Sequence, residues 1–113
     1  MPENCVFCKI AQGDLPSSKV YEDDDFLAFK DIKPAAPVHL LVVPKRHIPR
    51  LSEAKNEDLD LLGRFMLVVG HIAREQELDS YRFIINDGAG AGQTVFHLHG
   101  HILSGRELGE KLL

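Results

Sequence analysis

HLHGHIL, residues 97–103, places three of the chain's six histidines at every second position. Apolar residues flank it, and the pattern predicts a strand over residues 95–103. Alternate side chains of a strand share one face, so His97, His99 and His101 are expected to point the same way at intervals of about 6.5–7 Å. Because imidazole titrates and binds metals near neutral pH, this face indicates a catalytic or metal site rather than a solvated surface.

The composition limits the classes of protein to consider. A length of 113 residues predicts one domain, residues 1–113, and a hydrophobic fraction of 44% supports a small core to which dimerisation would add burial. The net charge of −4 argues against nucleic-acid binding and against a basic membrane patch. The sequence has neither an apolar run of about 20 residues nor a secretory signal, so we expect a cytoplasmic protein that does not enter membranes.

The pattern of apolar residues, with Pro and Gly at the ends of segments, predicts an α+β fold with an antiparallel sheet, one long helix and a short N-terminal helix. The short helix is expected over residues 5–12, capped by Asn4 and ended by Gly13. Strands are predicted in SKVYE, DFLAFKDI, VHLLVVP and YRFIIN. Pro44 should end the third of these, which is the central strand, because proline cannot donate to the ladder.

The long helix is predicted over residues 51–78, with Ser52 or Asn56 as its cap. Its apolar residues recur at helical spacing and form a wide stripe for packing on the sheet. The stripe comprises Leu59, Leu62, Phe65, Met66, Val69, Ile72 and Ala73.

The only two cysteines, Cys5 and Cys8, have the spacing C-x-x-C. This spacing fits a redox pair, half of a metal site or coincidence. A thioredoxin-like motif follows a strand and opens a helix, whereas no strand is predicted before these cysteines. The redox interpretation is therefore weakened.

DGAGAGQT, residues 87–94, is a glycine-rich loop. It is not a dinucleotide fingerprint, because Gln93 stands where the last glycine should be and a strand follows instead of a helix. Alone it predicts only a flexible connection. Beside three histidines, its backbone amides suit an anion nest, with Asn86, Gln93 and Thr94 as further donors to phosphate oxygens.

Two segments resemble a known family. QTVFHLHGHILSG, residues 93–105, resembles the histidine-triad signature His-φ-His-φ-His-φ-φ, with φ hydrophobic, and residues 26–47 resemble its upstream half. The chain is most similar to the Hint branch, which hydrolyses nucleoside 5′-phosphoramidates. The resemblance implies a small HIT-type α+β domain that pairs its strands and long helices across a two-fold axis into a homodimer, with a purine nucleotide as substrate.

The family's roles carry over by position. His99 matches the nucleophile, His101 the contact to phosphate oxygens, and His39 the histidine that supports the nucleophile. The phosphate-binding positions are Asn86, Gly92, Gln93 and Thr94. The nucleoside pocket is matched by Phe7, Ile10, Leu15, Phe29, Ile32 and Leu41, and Asp31 matches the acid that holds the ribose hydroxyls. A nucleophilic imidazole needs one bare nitrogen, so we expect an acceptor, a backbone carbonyl, at the other nitrogen of His99.

The resemblance also implies a metal. Some bacterial members bind zinc with an N-terminal C-x-x-C, a PKxH-type histidine and the first triad histidine. This chain has all four, as Cys5, Cys8, His47 and His97. Two thiolates and two imidazoles suit tetrahedral Zn²⁺ and leave no open position for water, so the zinc would be structural and have no part in the chemistry.

Two features depart from the family pattern. Gly100 stands at a hydrophobic φ position facing away from the triad, so either packing behind the strand is thinned or another group approaches there. The chain has no tryptophan and therefore lacks the tryptophan-proline ending of several Hint proteins. The leaving group preferred by the chain is thus left open.

Three alternatives remain. A metal site on His97, His99 and His101 leaves C-x-x-C unexplained, and it needs a sharp bend because the outer pair is about 13 Å apart on a straight strand. A nucleotide-binding regulator with little turnover would use the same pocket. A dinucleoside polyphosphate hydrolase of the neighbouring branch would differ in its substrate.

Overall fold

Five antiparallel strands form one sheet in the computed structural model, which describes residues 4–112. In chain order they are β1 (Lys19–Glu22), β2 (Phe26–Lys30), β3 (Val38–Pro44), β4 (Arg82–Ile84) and β5 (Gly100–Ser104), and they lie in the order β1-β2-β3-β5-β4. Helix α1 (Val6–Ala11) precedes the sheet, and α2 (Leu59–Glu75) lies between β3 and β4 in the chain. The predicted α+β class is confirmed. Residues 1–3 and 113 of the expected domain lie outside the described part.

The sheet separates two cores. Alternate residues of β2 and β3 point to opposite faces, so each strand contributes to both cores. The core on the α2 side contains Phe26, Ala28, Leu40, Val42, Leu61, Phe65, Val69, Ile72 and Ile102, with Ile48 and Leu98. The core on the α1 side contains Leu27, Phe29, Leu41 and Val43 with Cys5, Phe7, Cys8 and Ile10. Leu41 of β3 pairs with His101 of β5, and paired residues of antiparallel strands point to the same face. His101 therefore faces the α1 side.

Helix α1 is shorter than predicted and has a different cap. It spans Val6–Ala11, and its N-cap is Cys5 rather than Asn4, because the Cys8 amide donates to Cys5 Sγ at 3.3 Å. Gly13 has φ of +84°, the left-handed geometry that favours glycine, and it ends the helix as predicted. A helix of six residues has little stability of its own, so its position depends on what it contacts.

Helix α2 begins later than predicted. Two 3-10 turns, Leu51–Glu53 and Asn56–Asp58, occupy the start of the expected helix. Asp58 is the N-cap residue, and its carboxylate accepts from the Lys55 amide at 2.9 Å and from Arg46 at 2.7 Å. The predicted caps Ser52 and Asn56 are therefore wrong. Within residues 4–112, no helix is long and apolar enough to cross a membrane.

The apolar stripe of α2 is only partly used. The residues that pack inward are Leu61, Phe65, Val69, Ile72 and Ala73. Two predicted members, Leu59 and Met66, are 73% and 55% exposed, and the neighbouring Leu67 is 74% exposed. The stripe is wider than the sheet can cover, which leaves an apolar face on the outer side of α2.

The last strand is shorter than the predicted 95–103. It begins at Gly100, after the chain bends over residues 95–97, and β4 likewise covers only part of the predicted 81–86. The Pro44 carbonyl is taken by His97 Nε2 at 2.6 Å, so it does not extend the ladder. The prediction that three histidines share one face is confirmed, because His97 lies against Cys5 and Phe7 of the core on the α1 side, whereas Leu98 and Ile102 enter the core on the α2 side. His97 differs from its two neighbours in one respect, since it does not line the cavity that His99 and His101 line.

Gly100 makes room for an aromatic ring. A Cβ at this position would lie 2.1 Å from the Phe83 ring, which packs against the core on the α2 side. The predicted approach of another group behind the triad is confirmed, and Phe83 is that group.

Candidate functional site

A cavity of about 710 Å³ lies between α1 and the sheet. This volume is typical of sites for small molecules. Apolar side chains from α1, β2 and β3 form one wall, and the polar groups of Asp31, Thr94, His99 and His101 also reach the cavity. The arrangement suits a ligand with an apolar or aromatic half and a polar half.

His99 is held in one tautomer. Its Nδ1 lies 2.7 Å from the His97 carbonyl oxygen, which can only accept, so Nδ1 carries the proton and Nε2 is bare. This is the predicted carbonyl partner. Burial lowers the pKa of His99, and the hydrogen bond to His97 opposes part of that shift. The ring is therefore neutral near pH 7, with a lone pair on Nε2.

A chain of hydrogen bonds also sets the tautomer of His101. The Ala35 amide donates to His39 Nδ1 at 2.9 Å, so His39 carries its proton on Nε2. This Nε2 lies 2.9 Å from His101 Nδ1 and 3.4 Å from Asp31 Oδ2. Because His101 Nδ1 accepts, its proton is on Nε2, where it is available to a ligand. His39 thus contacts His101 directly.

The charge state of His101 agrees with this assignment. Burial lowers its pKa to about 4, and repulsion from the neighbouring His99 and His39 adds to the shift. His101 is therefore a neutral hydrogen-bond donor near pH 7, beside a neutral His99.

Cys5, Cys8, His47 and His97 form a second group, called here the thiol–imidazole cluster, whose ligand atoms all lie within 4.8 Å of one another. His97 Nδ1 lies 3.3 Å from Cys5 Sγ, 3.4 Å from Cys8 Sγ and 3.2 Å from His47 Nδ1. Zinc bonds of about 2.3 Å to sulfur and about 2.0–2.1 Å to nitrogen place tetrahedral ligands about 3.6 Å (S–N) and about 3.3 Å (N–N) apart. The observed spacings fit zinc closely.

The protonation states of the cluster fit a metal as well. His97 Nε2 donates to the Pro44 carbonyl at 2.6 Å, which leaves Nδ1 bare and facing the thiols. Burial lowers the pKa of His97 to about 4 and also lowers the pKa of His47, so both rings are neutral. Burial, with the neighbouring Cys5, raises the pKa of the Cys8 thiol to about 12. A divalent cation would stabilise the thiolate forms.

Asp31, His39 and His101, called here the Asp–His cluster, also have ligand atoms within 4.8 Å of one another. Two histidines and one carboxylate are a known set for transition metals. However, the Ala35 amide occupies His39 Nδ1, so the nitrogen that faces the cluster carries a proton. To bind His39 Nε2, a metal would have to displace its proton while Nδ1 of the same ring still accepts from the Ala35 amide. This cluster therefore suits hydrogen bonding rather than metal binding.

Known proteins share both the sequence pattern and the fold. The model of the HIT domain matches residues 12–108. The chain belongs to the HIT family. Protein HitA of Neisseria gonorrhoeae is 51% identical over 102 residues, which cover 89% of this chain and 95% of HitA.

Solved structures agree. A histidine triad protein from Clostridium difficile has a TM-score of 0.93 and 45% identity, with 98% of both chains covered. A protein from Clostridium thermocellum, described as a HIT family hydrolase, has a TM-score of 0.95 and 45% identity, with 100% of both chains covered.

In this HIT protein, most predicted nucleoside positions line the cavity. They are Phe7, Ile10, Phe29, Asp31, Ile32 and Leu41. Ile32 is 92% exposed and lies at the rim. Leu15 is not among the lining residues of the cavity.

Of the four residues predicted to bind phosphate, only Thr94 lines the cavity. The Asn86 side chain lies beside Gly92, which has φ of +93°. Gln93 is buried, and its amide accepts from the Gly88 N–H at 2.8 Å and donates to the Pro49 and Val95 carbonyls at 2.8 and 3.0 Å. The Gln93 side chain therefore stabilises the glycine-rich loop. A contact between Gln93 and phosphate would require these hydrogen bonds to break.

Several residues of the HIT cavity were not predicted from the sequence. They are Val6, Pro16, Ser17, Ser18, Lys30, Lys33 and Val95. Val6 and Val95 adjoin the predicted positions Phe7 and Thr94, and this adjacency is the signal that could have indicated them. Ser17 carries no signal in the sequence, yet its buried Oγ has no hydrogen-bond partner among residues 4–112.

Proposed function

We propose that this HIT protein follows the Hint branch and hydrolyses purine nucleoside 5′-phosphoramidates through a covalent nucleotidyl–His99 intermediate. The observation that carries the proposal is the neutral His99 ring, whose Nδ1–H is held by the His97 carbonyl at 2.7 Å while Nε2 is bare. The description of the Clostridium thermocellum relative as a HIT family hydrolase supports the class of reaction.

The reaction proceeds in two displacements. The Nε2 lone pair of His99 forms a bond to the α-phosphorus, the P–N bond to the amine breaks, and the amine takes a proton from solvent. Water then attacks the same phosphorus, the bond to Nε2 breaks, and the proton lost by water returns to solvent. Dividing one difficult displacement in two lowers each barrier.

Charge that develops on the phosphoryl oxygens is met by prearranged donors. His101 offers Nε2–H because His39 holds its Nδ1 at 2.9 Å. Thr94 lines the same cavity and could offer its hydroxyl as a second donor. Such donors stabilise the transition state without reorganising. His39 therefore supports the reaction through His101.

The other half of the cavity suits a nucleoside. Phe7 and Phe29 pack edge to face with centroids 5.6 Å apart, which gives an aromatic wall for a planar base. Asp31 lines the same cavity and would accept hydrogen bonds from the two ribose hydroxyls. This division supports a nucleotide with its base against the aromatic rings and its phosphate at the histidines.

We further propose that the thiol–imidazole cluster holds one structural zinc. Its four ligands would fill a tetrahedral shell, so the ion supplies stability and no reacting atom. Thiolate ligands also fit a reducing compartment such as the cytoplasm. Elemental analysis should find about one zinc per chain, and Cys5→Ser with Cys8→Ser should remove it.

The homodimer implied by the family is supported by α2. Leu59, Met66 and Leu67 lie on one exposed side of the helix at helical spacing, with Gly63 on the same side. Apart from the helix's own neighbouring backbone, no atom of residues 4–112 lies within 4 Å of the place where a Gly63 Cβ would be. An interface there should exceed about 1,000 Å². Sedimentation should give a dimer at micromolar concentration, and Leu67→Glu should shift it to monomer.

Competition between substrates tests the proposed reaction. Adenosine 5′-phosphoramidate and a diadenosine polyphosphate are supplied together, and kcat/KM for the P–N bond should be at least about tenfold higher, a difference of about 1.4 kcal/mol. The opposite preference would make the protein a dinucleoside polyphosphate hydrolase. Binding of both without turnover would make it a regulator.

A further inference from the structure

Residue 97 takes part in both the thiol–imidazole cluster and the reacting site. Its Nδ1 faces Cys5 and Cys8 at 3.3 and 3.4 Å, and its Nε2 donates to the Pro44 carbonyl at 2.6 Å. The side chain is fully buried. Its own carbonyl oxygen accepts the Nδ1–H of His99 at 2.7 Å. The ring is thus anchored at two points, and the peptide group that follows it holds His99.

Helix α1 makes a second connection. Cys5 is its N-cap and Cys8 lies one turn later, so the cluster holds the start of the helix. Between them, the Phe7 ring packs edge-on against His99 at 5.0 Å and against His97 at 6.1 Å. The helix has only six residues, so these contacts decide where the Phe7 ring lies.

We propose that the thiol–imidazole cluster, loaded with its metal, positions the reacting imidazole, with His97 and Phe7 as positioning residues. The inference rests on the proposed function and assigns the metal a role in orienting His99. When the metal is lost, the His97 side chain and α1 are released. His99 then loses its fixed acceptor and samples both neutral tautomers, and the cavity wall formed by Phe7 loosens.

The inference makes a selective claim. His101 receives its hydrogen bond from His39, which is set by the Ala35 amide, and none of these groups belongs to the thiol–imidazole cluster. Loss of the metal should therefore disturb the tautomer of His99 and leave that of His101 unchanged. General loosening of the fold would disturb both.

Long-range ¹H–¹⁵N spectra of the histidine rings near pH 7 test this claim. Zinc is removed from the full-length protein with a chelator and then restored, and Cys5→Ser with Cys8→Ser gives a permanently metal-free form. We expect His99 to change from a single Nδ1–H tautomer to a mixture and to recover with zinc, while His101 keeps its Nε2–H form. The Kd for AMP should rise about tenfold in the metal-free forms.

Ile72→Ala provides the matched control, because Ile72 lies in the core on the α2 side. It should lower the melting temperature and leave both the His99 tautomer and the Kd for AMP unchanged. If the double cysteine variant does not fold, the chelated wild-type protein carries the test.

Two results would overturn the inference, and they are distinguishable. A zinc-free form whose His99 stays in the Nδ1–H tautomer and binds AMP within twofold would show that the cluster does not position the ring, with the proposed hydrolase and zinc site left standing. Absence of zinc from the purified protein would remove both the proposed zinc site and its positioning role, whereas the competition between substrates would still decide the reaction.

Discussion

The thiol–imidazole cluster and the Asp–His cluster each contain two histidines, and the ligand atoms of each lie within 4.8 Å. They differ at the far nitrogen of one ring. In the first, His97 donates outward to the Pro44 carbonyl and presents a bare nitrogen inward. In the second, His39 accepts from the Ala35 amide and presents an N–H inward. One backbone group behind the ring thus separates an imidazole suited to bind a metal from one suited to donate a hydrogen bond.

The two clusters also differ in access. Cys5, Cys8 and His97 are buried, and only His47 is partly exposed. Asp31 and His101 open into the cavity. The closed cluster suits a structural ion, whereas the open cluster suits contact with a substrate.

Replacing His99 should have the largest effect on turnover and should leave the thiol–imidazole cluster intact. His99→Ala removes the bare Nε2, so turnover of adenosine 5′-phosphoramidate should fall by about 10⁴-fold or more. Zinc content should stay unchanged. Quenched-flow mass spectrometry should find the nucleotidyl group on the His99 peptide of the wild type. Inversion of configuration at phosphorus would exclude a covalent His99 intermediate, since two displacements retain it.

His97→Ala is the complementary change. It should remove zinc and lower the melting temperature, because a structural zinc supplies about 10–16 kcal/mol of apparent binding energy in small domains. Retention of zinc at one ion per chain would contradict the assigned ligand set.

Within the Asp–His cluster, His101 should matter more than His39. His101→Ala removes a donor to the phosphoryl oxygens and should cost about 2.7–4 kcal/mol, or about 10²–10³ in kcat. His39→Ala should cost less, because His39 only sets the tautomer of His101. His71→Ala, on the exposed side of α2, is the control. A larger loss for His39 than for His101 would show that His39 does not act through His101.

Removing one amide proton should make the Asp–His cluster resemble a metal site. Ala35→Pro deletes the N–H that donates to His39 Nδ1, so His39 can move its proton there and free Nε2. Inhibition by Ni²⁺ should then strengthen by about tenfold, the lower end of effects from groups behind a ligand. Ala35→Gly keeps the N–H and is the control. Equal inhibition of both variants would show that the amide does not exclude metals.

The pH dependence should reflect two neutral rings. The pKa of His101 is lowered from 6.5 to about 4 by burial, and that of His99 is also lowered. Turnover should stay flat as the pH falls past 6.5, because both rings remain neutral there, and it should fall by about tenfold per unit only once the lowered pKa of a ring is passed. Between pH 6.5 and 4 the unfolded chain binds protons that the folded chain does not, so the free energy of unfolding should decrease as the pH falls towards 4. A rate that rises on acidification would show that imidazolium is the active form.

The smallest effect is expected at Asp31. If its carboxylate holds the ribose, Asp31→Asn should raise KM for a ribonucleotide by about tenfold, or about 1.4 kcal/mol. A 2′-deoxy substrate should lose less, and comparing the two separates the sugar contact from the nearby His39. Equal losses would show that Asp31 acts through the histidines.

The sequence predicted those features that depend on local pattern or on family position. Alternation identified the strands and the α+β class, and the family motif brought together the four residues of the thiol–imidazole cluster. It missed the bend before Gly100, because that bend depends on a bond from His97 to Pro44, far away in the chain. It also assigned Gln93 to phosphate, because a sequence does not show that three backbone groups already occupy that amide.

The Phe83 ring occupies the space that a side chain at position 100 would need. This close packing limits the order in which the two positions can mutate. No larger residue can replace Gly100 while the ring lies 2.1 Å from the place where its Cβ would be. A smaller residue at 83 must come first, so substitutions at these two positions are accessible in one order only. Lineages that keep Phe83 are held to glycine at 100, and the two positions should covary among relatives.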